Sequence, residues 1–305
     1  MRVARTEEQE ELGATVRALL AKRSDSAAVR AAVETPEGYD TALWQALCEQ
    51  VGVTALAIPE EYDGFGASLA ETAVVLEELG RSLTPAPMLA SALAAANALL
   101  HGSDAEKADL LPRLAVGEVV PFPLGAVVLE PTVRAASMDQ TLRLGPGDPA
   151  VEPADDVRSI SVALVSALQV GAMQRALDMT VAYAKERVQF GRPIGSFQAL
   201  KHRMADMLVR LEASRSTSWG ATAAAAAYLA DPSDRNESDL RRLAAVAGSY
   251  CTDALEHVAA ETIQLHGGIA ITWEHDAHLV FKRAHALAQL NGPAHRHRQV
   301  VLERR

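Results

Sequence analysis

RVQFGRPIGSFQALKHRMADM, residues Arg187 to Met207, places a chain break and the start of a long helix in one stretch. Gly191, Pro193 and Gly195 stop any helix arriving from upstream, since proline lacks an amide donor and glycine loses the most backbone freedom on ordering. Beyond the break, Phe197, Leu200, Met204, Met207 and Leu211 recur every three or four residues, the spacing of one helix face, and Ser196 is placed to cap it. Upstream, Ile160, Leu164 and Leu168 open a helix expected to reach about Arg187. Downstream, Pro232 closes the long helix, Asn236 is expected to cap the next, and Leu240, Leu243, Ala247, Tyr250 and Ala254 form its apolar face. Gly267 and Gly268 end that helix, and a last long one is expected from Trp273 to about Leu290, before a basic tail. Four long helices joined by short links predict a four-helix bundle over residues 157–305.

Residues 1–116 also read as helical. Leu12, Val16, Leu19 and Leu20 make an apolar stripe on a charged helix, a second helix surrounds Leu43, Trp44 and Leu47, and Leu69 to Leu79 and Met88 to Leu100 continue the pattern after a turn-rich loop at Pro59, Gly64 and Gly66. Between them, residues 117–156 differ. Prolines at 121, 123, 131, 146, 149 and 153 exclude long helices, and VVPFPLGAVVLEP (119–131) offers only short strand-like runs, so this is expected to be a connector or a truncated middle β segment. The fold class is mainly α.

Composition agrees and excludes several functions. Hydrophobic residues are 49% but aromatics only 4%, and alanine runs such as Ala223 to Ala227 favour helix. With 29 Lys+Arg against 39 Asp+Glu, the net charge of −10 argues against nucleic acid as a partner. Cys48 and Cys251 stand far apart without metal-type spacing, which reads as two small buried hydrophobes in a reducing cytoplasm. The amino terminus has no export pattern, and no apolar run is expected to approach the ~20 residues that cross a bilayer. His275, His278, His285, His295 and His297 cluster near the end, the first two on one expected helical face, but they read as a solvated basic face rather than a metal site, and Glu274 and Asp276 beside them as surface charge.

Two segments carry chemistry. In the first, Arg187, Phe190 and Gln198 surround a break that exposes backbone donors, so a cation, a ring and an amide are placed together where anions bind. In the second, Gln264-Leu-His266-Gly267-Gly268, the glycines permit close approach of a backbone or a phosphate. Spacing alone leaves both open, because Arg187 capping a helix, Phe190 in a core and a C-terminal glycine stop would look the same.

These two motifs, with IPEEYDGFGAS (58–68), LEELGR (76–81) and QLHGGIAITWEHDAHLVFKRA (264–284), resemble the acyl-CoA dehydrogenase family, in order and across nearly the whole chain. The resemblance implies an amino-terminal helical domain, a middle β-domain and a carboxy-terminal four-helix bundle. It also implies FAD, whose ADP half is held from a neighbouring subunit by the positions that match here as Arg187, Gln189, Phe190, Gln198, Gln264, Gly267 and Gly268.

The departures are as specific. The family's TEPxAGSD-type segment, which holds the flavin ring, is replaced by VVPFPLGAVVLEP. The glutamate base that precedes Gly-Thr falls, counting on from FKRA, at Asn291; the alternative base near the start of the first bundle helix falls at Ser161, with Arg158 nearby; and the Thr-Ser-Gln contacts to FAD read Pro293-Ala294-His295. An amide cannot take up the α-proton of an acyl thioester. No catalytic residue is therefore assigned. The resemblance implies a subunit of a heteromeric acyl-CoA dehydrogenase, an α2β2 heterotetramer with a full-length subunit that supplies the ring cradle and the base, acting on an acyl-CoA, with electron-transfer flavoprotein as acceptor. Family members built this way act on steroid side-chain CoA esters. Two other readings stay open: a homomeric enzyme with a relocated base at His295 or Glu274, and a non-catalytic scaffold.

Overall fold

The computed structural model describes residues 4–131 and 137–303. Six helices come first: α1 (Glu7–Arg23), α2 (Ser26–Glu34), α3 (Thr41–Ala46), α4 (Leu69–Ser82), α5 (Met88–His101) and α6 (Asp104–Ala115). Three start with reciprocal capping boxes, Thr6 with Gln9, Ser68 with Glu71 and Ser103 with Glu106, each of which satisfies two amides that a helix start leaves unpaired. Three short antiparallel strands follow, β1 (Phe122–Leu124), β2 (Val127–Leu129) and β3 (Leu144–Pro146), in the order β1-β2-β3. The second half holds α7 (Asp155–Glu186), a two-residue-per-strand hairpin β4 (Val188–Gln189) and β5 (Arg192–Pro193), then α8 (Gln198–Ala230), α9 (Asp234–His266), α10 (Ala277–Leu290) and α11 (Ala294–Leu302).

α7 is the central element, packed against α4, α8 and α9. By length and composition it is apolar enough to span a bilayer, contrary to the expectation that no stretch approaches this, but 89% of its apolar window is buried inside the protein. The contact with α4 is backbone against backbone. A Cβ at Gly171 would lie 2.0 Å from the Glu77 carbonyl oxygen, and one at Gly80 would lie 2.4 Å from that of Leu168, so both glycines are required by the crossing. Beside it, Glu77 is held by Arg5 and Arg215, and the buried carboxylate of Glu78 takes two bonds from Arg17, at 2.9 and 2.6 Å. LEELGR is thus the docking edge of the amino-terminal helices on the bundle.

A buried ion pair fastens the middle stretch to the bundle. Arg283 on α10 donates Nε to Asp139 (2.8 Å) and Nη2 to the carbonyl and hydroxyl of Thr141 (3.1 and 2.6 Å), both charged side chains being 1% exposed. Both cysteines are buried.

Several expected caps and ends differ. The Ser196 hydroxyl donates to the Pro193 carbonyl (2.7 Å), and α8 starts at Gln198 without a side-chain cap. Asn236 lies inside α9, which starts after Ser233, and its amide closes the preceding turn by donating to the Asp231 carbonyl (2.9 Å). The last long helix starts at Ala277, not Trp273, so His275 precedes it and shares no helical face with His278. The basic tail contains α11.

Candidate functional site: a nucleotide clamp at one end of the bundle

α7 ends where Arg187 leaves helical geometry, its amide making the last helical bond to Tyr183 O (2.8 Å). The Arg187 carbonyl then accepts from Ile194 N (2.8 Å), which closes the β4–β5 hairpin. The turn residues Phe190 and Gly191 have φ of 52° and 75°. Two positive φ values in succession are those of a type I′ turn, whose first position favours Asn or Gly; phenylalanine there costs roughly 1–2 kcal/mol. The ring gains little within the chain in return. Phe190 is 92% exposed and meets the edge of Phe197 at 6.1 Å between centroids, with the Arg192 guanidinium 4.1 Å over the Phe197 ring. The possibility that Phe190 is a core residue is therefore excluded.

Arg187 and Gln198 are also exposed, and the Arg187 guanidinium makes no ion pair or hydrogen bond among the described residues. The Gln189 amide donates to the Val188 carbonyl (2.7 Å). In the second segment Gly267 has φ 67° and ψ −147°, a region open essentially to glycine alone. A Cβ on Gly267 or Gly268 would meet nothing within 4 Å, so these glycines leave bare backbone facing open space, with exposed Gln264 a turn earlier.

The two segments share one end of the bundle. Tyr183, one turn before Arg187, stacks on His266, immediately before Gly267, with ring centroids 4.5 Å apart. Burial lowers the His266 pKa, and its Nδ1 lies 2.7 Å from the Thr262 carbonyl. An unpaired guanidinium, an exposed ring, amides and side-chain-free backbone suit a diphosphate and a flat heterocycle, so the residues present fit the ADP half of FAD.

The two positions where the resemblance places a base are neighbours. Fully buried Ser161 donates to Asn291 Oδ1 at 3.1 Å, joining α7 to the α10–α11 turn, and the Asn291 Nδ2 is buried without a partner. A hydroxyl and an amide hold this spot, and neither can abstract a proton near neutral pH. Arg158, the nearby cation, is paired with Glu152. The buried carboxylate of Asp156 is occupied by His101 (3.0 Å), the Tyr228 hydroxyl (2.8 Å) and its neighbouring amide; burial pushes its pKa up, but these bonds outweigh burial and hold it below the usual range. Glu274 and His295 lie exposed to solvent. No group of three or more histidine, cysteine or acidic side chains converges as a metal site among the described residues.

One residue read as surface charge is not. The Asp276 side chain is 12% exposed and accepts from Ser26 Oγ (2.5 Å), Arg30 Nη2 (2.8 Å) and Arg175 Nη2 (3.0 Å). Its partners lie 101 to 250 residues away in sequence, so no local spacing announces them.

Comparison with known proteins places this geometry. Residues 6–118 match the model of the acyl-CoA dehydrogenase N-terminal domain, and residues 161–305 that of the C-terminal domain. The acyl-CoA dehydrogenase IpdE2 of Mycobacterium tuberculosis is 45% identical, covering 93% of each chain, and that of Mycolicibacterium smegmatis 43% identical, covering 94% of this chain and 96% of the other. Among solved structures, a variant of the steroid ACAD Tcur3481–Tcur3483 superposes with a TM-score of 0.82 at 24% identity, covering 97% of each chain. The ChsE4–ChsE5 complex from M. tuberculosis superposes with 0.78 at 24% identity, over 99% and 98%, a likeness of fold. With both terminal domains matched and relatives of its own length above 40% identity, the chain belongs to the acyl-CoA dehydrogenase family.

Proposed function

We propose that this chain is the base-less subunit of a cytoplasmic heteromeric acyl-CoA dehydrogenase, and that its end-of-bundle residues hold the ADP half of an FAD whose ring lies in a full-length partner subunit. FAD, when bound, accepts the β-hydrogen of an acyl-CoA as hydride. In this chain Arg187 pairs with a phosphate, the Gly267–Gly268 backbone lets the diphosphate approach, Gln198 and Gln264 bond its polar edges, and Phe190 covers an apolar face. Residues 117–156 stand in for the middle domain, and the base comes from the partner. The observation that carries the reading is the contrast within one molecule. The clamp residues project into solvent with Phe190 at positive φ, while the base positions are closed by the Ser161–Asn291 hydrogen bond.

The likeness to the steroid ACAD Tcur3481–Tcur3483 and to the ChsE4–ChsE5 complex supports a steroid-derived acyl-CoA as substrate and a partner subunit; the α2β2 stoichiometry and electron-transfer flavoprotein as acceptor are proposed on the family resemblance alone. The test is to purify the chain alone and with a full-length acyl-CoA dehydrogenase subunit encoded beside it, and to record the visible flavin spectrum of each. The expected result is a colourless single chain and a yellow complex. Arg187→Ala in the complex should weaken FAD binding about tenfold, the loss of one charge-assisted bond. Asn291→Ala should leave single-turnover flavin reduction within a few-fold of wild type. A single chain that binds FAD stoichiometrically would support the homomeric enzyme instead, and a complex indifferent to Arg187 would support the scaffold.

A further inference from the structure

Asp276 occupies the residue before α10, where aspartate ordinarily caps by accepting from an amide in the first turn, yet its carboxylate makes no such bond. The task passes to its neighbour: Ala277 N donates to His275 Nδ1 at 3.2 Å. Asp276 instead reaches away from its own helix, to Ser26 and Arg30 on α2 and to Arg175 on α7. A local stabilisation has been given up for a tertiary one.

The segment this tie controls begins at the clamp glycines. Gly267 to Ile271 form a single 3-10 turn, Thr272 closes it by bonding back to Ile269, and the chain then runs through Trp273 to Asp276. Ile271 and Trp273 are 77% and 66% exposed, so this stretch has little apolar burial to hold it. Its anchors are side chains: Asp276 at the far end, His275 with its ring 4.5 Å from His266, and Trp273 under the Lys282 ammonium at 4.1 Å. Arg175 lies on α7 about three helical turns before Arg187, the residue that follows the helix. Through Arg175 the carboxylate therefore fixes the glycine segment relative to the helix that carries Arg187, and through α2 it ties both to the amino-terminal helices. Burial alone would raise the Asp276 pKa, but the bonds from Ser26 and Arg30 outweigh it and keep the carboxyl below its usual range, so the tie is ionised at neutral pH.

We propose that Asp276 is a positioning residue for the clamp: it holds Gly267 and Gly268 in register with Arg187 and thereby sets the affinity for the diphosphate half of FAD. This rests on the assignment of the clamp made above. The test combines hydrogen–deuterium exchange on the full-length chain with FAD titration of the complex formed with the full-length subunit. Asp276→Ala should raise exchange in residues 267–276 at least tenfold, leave exchange in the middle of α7 and α9 unchanged, and raise the FAD Kd about tenfold. Asp276→Asn, which keeps an acceptor for Ser26 and Arg30 but loses the charge facing Arg175, should fall between wild type and Ala in both readouts. That graded rescue is not expected of a residue that only stabilises the fold. Should Asp276→Ala fail to fold, the Ser26→Ala/Arg30→Ala double variant removes the α2 half of the tie and should move both readouts in the same direction. Arg187→Ala separates the two ideas. If it weakens FAD binding while Asp276→Ala leaves the Kd unchanged, Asp276 does not position the clamp. If neither variant changes the Kd, the clamp assignment itself falls and takes this proposal with it.

Discussion

Removing Asp139 tests how the shortened middle stretch is kept in place. Asp139→Ala deletes the carboxylate paired with Arg283, which is 1% exposed, and among the described residues leaves the buried guanidinium its bonds to Thr141. Breaking a buried pair by removing one partner costs about 3–5 kcal/mol, mostly the penalty of the charge left behind. Because Thr141 still accepts two bonds, the lower end, about 3 kcal/mol, is expected. For a chain of 305 residues each kcal/mol moves Tm by about 1.5 °C, so the shift should be roughly 5 °C. Urea titration followed by circular dichroism gives the free energy directly, and calorimetry the Tm. The Asp139→Ala/Arg283→Met double variant removes the stranded charge and should recover most of the loss, since a methionine of similar length fills the same space. A single variant costing less than about 1 kcal/mol, or a double variant worse than the single one, would refute the view that this ion pair fastens residues 137–146 to α10.

Other outcomes follow from the same geometry. Phe190→Asn should stabilise the chain by up to about 1 kcal/mol, because Asn tolerates a left-handed turn position, while FAD binding in the complex weakens; thermal melts and FAD titration of one preparation check both. Gly171→Ala places a methyl 2.0 Å from the Glu77 carbonyl and should cost about 3 kcal/mol by forcing α4 off α7, measured by urea unfolding. His266, His275, His278 and His297 all have pKa values lowered by burial from the usual 6.5, so the unfolded chain binds more protons than the folded one below that pH. Stability should be complete above about pH 7 and fall as the pH drops through 6.5 towards 5, with proton uptake on unfolding at pH 6 measurable by calorimetry in buffers of different ionisation enthalpy.

The helices were legible because each carries its own evidence: apolar residues at three- and four-residue spacing, ended by Gly191, Pro232 or Gly267. α2 escaped notice because its buried face is only Val29, Ala32 and Val33, too small a stripe to stand out in an alanine-rich chain. Ser196 and Asn236 do not cap the helices their positions suggest, because each side chain bonds a backbone carbonyl of the adjoining turn instead. Asp276 and Arg283 were illegible for a stronger reason. Their partners come from elements far away in sequence, and a charge that will be buried against a distant opposite charge leaves no periodic trace. The segments named for the clamp came from glycine and proline placement and from the family resemblance. The exposure of Phe190 and the contact between Tyr183 and His266 needed three dimensions.

The exposed residues around Arg187 and Gly267 and the buried Ser161–Asn291 contact together limit what the fold can hold. An exposed phenylalanine at positive φ, an unpaired arginine and two bare glycines all reduce what the free chain gains by folding, and a ligand or partner that covers them returns that stability as binding energy. A flavin ring held within this chain would need a base beside it, but the position where the family resemblance places that base is filled by Ser161 bonded to Asn291. A carboxylate in place of the Asn291 amide could still accept from Ser161 but would add a partly buried charge without a free cation, because Arg158 is already paired with Glu152. The fold therefore keeps an exposed surface that suits a diphosphate, while the Ser161–Asn291 contact offers no group able to take up a proton.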